Sequence, residues 1–143
     1  MIRRLLLSFT MLVTGLLAVP SQALAAEAIN GRWVTEDRDA VVEIKKCGNV
    51  TCGRIAQFLV APPDGADQRD INNPDANLRK RKLLGLPILT QFRADDDEWR
   101  GKIYDPNRGR TFRSVVRRTG ANTLEVKGCF GFICQTQTWQ RER

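Results

Sequence analysis

Two cysteine pairs with the same spacing are the residues best able to carry chemistry in this chain. The segments EIKKCGNVTC and EVKGCFGFIC contain Cys47 with Cys52 and Cys129 with Cys134. Such pairs can bind zinc, form a redox centre or form disulfides. Zinc is disfavoured because structural zinc sites use C-x2-C spacing and the chain has no His to complete a mixed site. A redox centre would need C-x-x-C in a βαβ context, which is absent from the sequence.

The cysteines are therefore predicted to form two local disulfides. Both pairs flank turn residues, GNVT and FGFI, between segments that alternate apolar and polar side chains. Residues facing each other across a hairpin lie ~4.5–5.5 Å apart at Cα, within the range of a disulfide. In a simple meander the two turns fall at opposite ends of the sheet. Distance then excludes cross-pairing and leaves Cys47–Cys52 and Cys129–Cys134.

The N-terminal residues have the layout of a secretory signal peptide. Arg3 and Arg4 precede an apolar run at 5–19, and Ala25 ends a small-x-small cleavage site. The apolar run is shorter than the ~20 residues that span a bilayer. We therefore expect a signal peptide at 1–25, a single domain at 26–143 without a transmembrane segment, and export to the periplasm or beyond, where disulfides form.

Short segments of alternating polarity predict eight β-strands. They lie at 31–35, 40–47, 52–60, 87–94, 98–105, 110–118, 122–129 and 134–142. The breaks between most of them are tight turns, and no long helical period occurs after the signal peptide. The pattern predicts an all-β protein, an eight-stranded antiparallel up-and-down barrel, because closure removes exposed sheet edges.

One connection, residues 61–86, is much longer than the others. Asn73 is placed to cap a short helix that starts at Pro74, and Gly85 is placed to end it. Strand parity puts this connection at the same end as the turns at 36–40, 105–110 and 129–134. We call this end the mouth. At the opposite end, parity brings Trp33 and Arg141 together, where a cation–π contact would close the barrel.

An ordered set of motifs resembles a known family. The set comprises Gly31-x-Trp33, Cys47-Gly48, Cys52-Gly53-x-Ile55, Asp70-x-x-Asn73-Pro74-Asp75, Leu78-Arg79-x-Arg81, Gly85-Leu86-x-Ile88-Leu89, Trp99-x-Gly101-x-Ile103-Tyr104-Asp105-Pro106, Gly109 and Trp139-x-Arg141. It is similar to the exported bacterial family catalogued as domain of unknown function 2147. The resemblance implies a lipocalin/calycin-like barrel and no settled biochemical activity.

Several polar and aromatic residues are candidates for ligand binding at the mouth. They are Asp70, Asn73, Arg79, Arg81, Tyr104, Asp105 and Trp139. Asp and Asn in loops commonly form turns, so a structural role competes with ligand binding for Asp70, Asn73 and Asp105. The arginines are suited to carboxylate or phosphate. Gln135 and Gln137 share a strand face with Trp139, which indicates a partly polar interior or wall.

The sequence yields three hypotheses of function. The first is a periplasmic lipocalin-like protein that binds a small amphipathic or anionic ligand. The second is an envelope interaction module that docks through residues 61–86. The third is a carboxylate-based enzyme; with no His and no nucleophile motif, we expect no catalytic residues. No cofactor, metal or nucleic-acid partner is expected, because the aromatic residues do not interleave with basic ones. The predicted mature chain lacks Arg3 and Arg4, so its net charge is +5 rather than +7, which is ordinary for a soluble domain.

Overall fold

The computed structural model describes residues 25–143, in which eight antiparallel strands form a closed barrel. Each strand pairs with the next along the chain, and β1 pairs with β8. The strands are β1 (Gly31–Val34), β2 (Ala40–Cys47), β3 (Val50–Phe58), β4 (Pro87–Asp95), β5 (Glu98–Asp105), β6 (Arg110–Gly120), β7 (Thr123–Phe130) and β8 (Ile133–Arg141). The predicted barrel is confirmed. The predicted signal peptide at 1–25 lies, apart from its last residue, outside the described residues.

Both hairpins that carry a disulfide have shorter turns than the sequence indicated. Their turns consist of two residues, Gly48-Asn49 and Gly131-Phe132, rather than the four that separate the cysteines. Gly48 and Gly131 have φ angles of 68° and 59°, a left-handed conformation that glycine adopts without a steric cost. The extra residues join the ladders, so β3 begins at Val50 and β8 at Ile133.

The two disulfides differ in register. Cys129 lies directly opposite Cys134, with their Cα atoms 4.0 Å apart. Cys47 lies opposite Val50, and it bonds to Cys52 across the diagonal, with Cα atoms 5.9 Å apart. The pairs are those expected from the spacing, and each closes one hairpin at its turn.

The helix predicted from Pro74 is wrong. Residues 74–77 form bends and turns, and the helical content of 61–86 is two single 3-10 turns, Gly65–Asp67 and Leu78–Lys80. The Asn73 side chain accepts a hydrogen bond from the Asp75 N–H, which makes an Asx turn instead of a helix cap. Among residues 25–143, no helix is long and apolar enough to span a membrane.

The core fills the end of the barrel opposite the mouth. Trp33, Leu89, Phe92 and Leu124 are almost completely buried there. Two inward-facing glycines make room: a Cβ at Gly101 would lie 2.6 Å from the Phe92 ring, and one at Gly53 would lie 2.9 Å from Leu89. The large side chains therefore interlock with gaps on neighbouring strands, which seals this end by packing.

The residues before β1 cover the closed end. Ile29 is buried, and its carbonyl accepts a hydrogen bond of 2.9 Å from the Trp33 indole. The Trp99 indole donates to the Glu27 carbonyl over 2.8 Å. Arg141 stacks on the Trp33 ring at 4.4 Å from its centroid, so β8 ends where β1 begins.

Candidate functional site

A cavity of about 640 Å³ occupies the mouth half of the barrel. Its wall is mainly apolar and includes Val42, Ile55, Ile103, Phe112 and Val126. Of the candidate binding residues, Tyr104, Asp105 and Trp139 also line it. The volume lies within the ~300–1,000 Å³ that is usual for small-molecule sites. The interior of this barrel is therefore large enough to hold an organic molecule of modest size.

The rim of the cavity is built by all four connections that strand parity placed at the mouth. Each contributes lining residues: Thr35 and Asp37 from the β1–β2 turn, Pro62 and Leu83 from 61–86, Pro106 to Arg108 from the β5–β6 turn, and Phe130 and Ile133 from the β7–β8 hairpin. An up-and-down topology requires this arrangement, because alternate connections of a meander share one end. The mouth is thus a composite of segments far apart in sequence.

One wall of the cavity is polar. Gln135, Gln137 and Trp139 alternate on the inner face of β8. The Trp139 indole donates to the Gln137 amide oxygen over 2.9 Å, which fixes that side chain. Gln135 lies opposite Gly128, which leaves space beside its amide. Within residues 25–143 the Gln135 side chain makes no hydrogen bond, so its donor and acceptor are available to a bound molecule.

The charged residues that line the cavity sit at the rim. They are Asp37, Asp39, Asp105 and Arg108. Asp39 accepts a hydrogen bond from the Thr35 hydroxyl, and Asp105 accepts from the backbone N–H groups of Asn107 and Arg108. Arg108 is 3.4 Å from the Asp105 carboxylate. Carboxylates therefore outnumber the single arginine around the described rim.

Asp70 is the centre of a buried polar network on the long connection. Its side chain is fully buried and accepts a hydrogen bond of 2.6 Å from the Tyr104 hydroxyl. The Asn73 amide donates to Asp70 and to the Tyr104 oxygen, in both cases over 2.9 Å. Arg81 completes the set with an ion pair of 2.8 Å to Asp70, and its guanidinium lies 5.0 Å from the centroid of the Tyr104 ring. We call these four residues the Asp70 network.

The Asp70 network fastens residues 61–86 to the barrel. Tyr104 is on β5, whereas the other three members are on the connection, whose two arms also pair through Asp70 N–H and the Arg81 carbonyl. Beside the network, Gly109 packs so tightly that a Cβ there would lie 2.0 Å from the Asn72 carbonyl oxygen. The connection is therefore a fixed part of the mouth wall.

The network is separate from the cavity except at Tyr104. Among residues 25–143, the cavity wall includes Tyr104 and excludes Asp70, Asn73 and Arg81. Arg79 is also outside it: its guanidinium donates to the carbonyls of Asn73, over 2.7 Å, and Pro74, over 3.4 Å. The structure thus divides the seven candidates into two groups. One group holds residues 61–86 in place, and the other lines the cavity and includes Asp105 and Trp139. Tyr104 belongs to both.

The hairpin tip, residues 130–133, is a feature that the sequence interpretation missed. Phe130, Phe132 and Ile133 project large apolar side chains into solvent beside the mouth. The signal was present in CFGFIC, where the turn between two cysteines contains three large apolar residues. Turns are usually rich in polar residues and glycine, so this composition is unusual.

The Tyr104 hydroxyl should lose its proton only at high pH, because burial and its hydrogen bond to Asp70 raise its pKa above the ordinary value of 10.0. It is the only tyrosine in the chain, so the ultraviolet absorbance of tyrosinate reports on it alone. We expect a midpoint above 10.0 in the folded protein and a return towards 10.0 in urea. The neutral form stabilises the fold below the unfolded pKa, and that stability is lost as the pH rises through the folded pKa.

Two variants check this assignment. Tyr104→Phe should abolish the absorbance change, and Asp70→Asn should lower the midpoint because it removes the negative charge beside the phenol. A native midpoint at or below the ordinary value would contradict the buried network.

Comparisons with known proteins agree with this architecture. A family model described as "Uncharacterized protein conserved in bacteria (DUF2147)" matches residues 31–141. A solved structure described as protein HP1028 from Helicobacter pylori, of the lipocalin family, superposes with a TM-score of 0.69 at 21% identity, covering 81% of this chain and 84% of that one. At this identity the likeness establishes the fold alone. No curated protein matches the chain.

Proposed function

The chain belongs to the bacterial family DUF2147, and we propose that it binds a small amphipathic molecule in the cavity of its lipocalin-like barrel. The observation that carries the proposal is the cavity itself, which is about 640 Å³, apolar on most of its wall and open at one end. Such a space favours an apolar group because burial removes it from water. The partly polar β8 wall then selects a molecule that also carries hydrogen-bonding groups.

Gln135 is proposed to be the main polar contact for this molecule. Its amide lies near the mouth, faces the cavity and has no partner in the described part of the chain. Gln137 is engaged by Trp139 and is less available. A hydroxyl, amide or carboxylate of the ligand would satisfy the Gln135 amide while the apolar part fills the space lined by Val42 and Val126.

The arginines considered for an anionic ligand are better explained as structural. The guanidinium of Arg81 is paired with Asp70, and that of Arg79 is bonded to two backbone carbonyls. The rim itself carries Asp37, Asp39 and Asp105 against Arg108. We therefore propose a ligand whose recognition depends on hydrogen bonding and apolar contact, rather than on a formal negative charge held by Arg79 and Arg81.

Binding is proposed in preference to catalysis. Asp70, the fully buried carboxylate of the network, is held by Tyr104, Asn73 and Arg81 and does not face the cavity. Docking of a macromolecule through 61–86 is the second candidate function, and the exposed side chains of Ile71 and Leu78 on that segment favour it. Export to the periplasm is proposed with both, supported by two disulfides and by the signal-peptide pattern at 1–25.

A matched pair of β8 variants tests ligand binding in the cavity. Gln135→Trp should fill part of the cavity and weaken the binding of anilinonaphthalene sulfonate, an amphipathic fluorescent probe, by about tenfold or more. Thr136→Trp adds the same side chain at the next residue, which points to the outer face of the same strand, and should leave binding unchanged. Fluorescence titration measures both affinities.

Native mass spectrometry of the protein purified from its source compartment completes the test. A small molecule that copurifies with wild type and with Thr136→Trp, but not with Gln135→Trp, is the expected result. Equal probe affinity in the two variants would place the bound probe outside the cavity and would favour docking through 61–86.

A further inference from the structure

The hairpin tip is an apolar projection at the edge of the mouth. Phe132 is 96% exposed, Phe130 70% and Ile133 69%. Isolated apolar side chains are common on protein surfaces, but adjacent large ones mark a surface that a partner covers. Exposed apolar area is unfavourable in water and lowers the solubility of the protein. We therefore expect these side chains to have a role in which they become buried.

The disulfide holds this tip in its exposed shape. Cys129 and Cys134 are direct cross-strand partners immediately behind Phe130 and Ile133. The hairpin at the opposite end has the same cysteine spacing and turns through Gly48-Asn49, which is polar. A hairpin closed by a disulfide therefore does not require apolar residues at its turn. The apolar residues of the hairpin tip need a separate explanation.

Positive charge lies on the β6 side of the hairpin tip. Arg113 donates to the Gly131 carbonyl, and Arg108 and Arg110 form a shallow cleft with Phe112 and Phe130. There is no Asp or Glu in residues 106–124 or 126–141. Within residues 25–143, Arg110 has no ion pair, and Arg108 has a loose one with Asp105. Aromatic side chains thus adjoin arginines that are open to a negatively charged surface.

The other flank of the hairpin differs in charge. The β1–β2 turn carries three carboxylates, on Glu36, Asp37 and Asp39, against the single positive charge of Arg38, and Glu36 accepts a hydrogen bond from the Thr138 N–H on β8. An anionic surface would repel this turn and attract the arginine flank. The charges therefore define which side of the hairpin tip faces the partner.

We propose that the hairpin tip docks the protein on an anionic phospholipid surface. Phe132 and Ile133 enter the boundary between headgroups and acyl chains, while Arg108 and Arg110 lie at the level of the phosphates. Apolar insertion and attraction by anionic lipid act together in such binding, and neither is strong alone. The arginine flank of the mouth then lies nearest the bilayer, and the β1–β2 turn is tilted away from it.

A lipid surface fits the shape of the tip better than a second protein does. A specific protein interface buries ~800 Å² on each partner with close complementarity, and a convex tip of three apolar side chains does not supply such an area. A bilayer deforms around a small protrusion and solvates its aromatic rings. This docking does not depend on the cavity being filled, so it stands or falls separately from ligand binding.

Vesicle binding tests the apolar part of the proposal. The protein should cosediment with vesicles of phosphatidylcholine and phosphatidylglycerol in equal parts, and much less with phosphatidylcholine alone. Phe132→Ser should lower the partition coefficient by about tenfold or more, because the largest inserted side chain is lost. Val50→Ser, in the hairpin at the closed end, is the matched control and should leave it unchanged.

Charge variants test the electrostatic part. Arg110→Gln should lower the partition coefficient by about fivefold, and added salt should weaken wild-type binding. Lys46→Gln removes one positive charge at the closed end and should have no such effect. Phe132→Trp should still bind vesicles. The tryptophan emission of this variant should shift to shorter wavelength when vesicles are added, by more than the emission of the wild type does.

Two outcomes would overturn the proposal. One is wild-type binding that is absent, or that is equal in Phe132→Ser and Val50→Ser. The other is a concentration-dependent dimer in sedimentation velocity that Phe132→Ser abolishes, since the tip would then be covered by a second copy. A failure of probe binding to the cavity would leave vesicle binding intact.

Discussion

Replacing Trp33 by Ala is expected to lower the free energy of unfolding by about 3–5 kcal/mol. The Trp33 side chain is completely buried at the closed end, so its removal leaves a cavity in the packed core. The variant also loses the hydrogen bond to the Ile29 carbonyl and the ring beneath Arg141. Urea unfolding followed by far-ultraviolet circular dichroism measures the change.

Two further variants separate these contributions. Trp33→Phe keeps most of the buried area and should cost clearly less than Trp33→Ala. A double-mutant cycle with Arg141→Ala should give a coupling energy of at least about 0.5 kcal/mol, because the guanidinium stacks on the ring at 4.4 Å. Strict additivity would show that the two residues do not stack in solution.

Replacing Arg81 by Met is expected to lower the free energy of unfolding by about 3 kcal/mol. The Asp70 carboxylate, with no exposed side-chain surface, would lose its counter-charge and retain only the hydrogen bonds of Tyr104 and Asn73. Leaving a buried charge unpaired costs more than the pair itself contributes. Urea unfolding measures the loss, and fluorescence of the native protein reports on any loosening of the mouth.

Arg79→Met is the matched control for this prediction. It removes the same type of side chain from the same segment, but Arg79 donates to backbone carbonyls that other donors and water can satisfy. We expect a loss of about 1 kcal/mol or less. The double variant Asp70→Asn, Arg81→Met should cost less than the sum of its parts, because an amide needs no counter-charge. Equal effects of Arg79→Met and Arg81→Met would contradict the central role of Asp70.

The strands could be read from the sequence because their signal is local. Alternation of side chains has a period of two residues, and the turns carry glycine or Asx at fixed offsets, so β2 and β5 begin and end where the pattern indicates. The helix predicted from Pro74 failed on equally local features. Capping residues and turn residues are the same types, and the hydrogen bond from Asp75 to Asn73 decided between them.

The sequence by itself determined the barrel, the disulfide pairing and which connections form the mouth. These follow from strand count and parity, which any antiparallel meander must obey.

Tertiary structure alone decided which arginine neutralises Asp70, since Arg79 and Arg81 have similar neighbours in sequence. The choice depends on how 61–86 folds back on Tyr104, which is 34 residues from Asp70. The cavity was decided in the same way: Phe92 and Leu89 fill the space opposite Gly101 and Gly53, while the mouth half stays open. Packing between distant side chains has no signature in the local pattern.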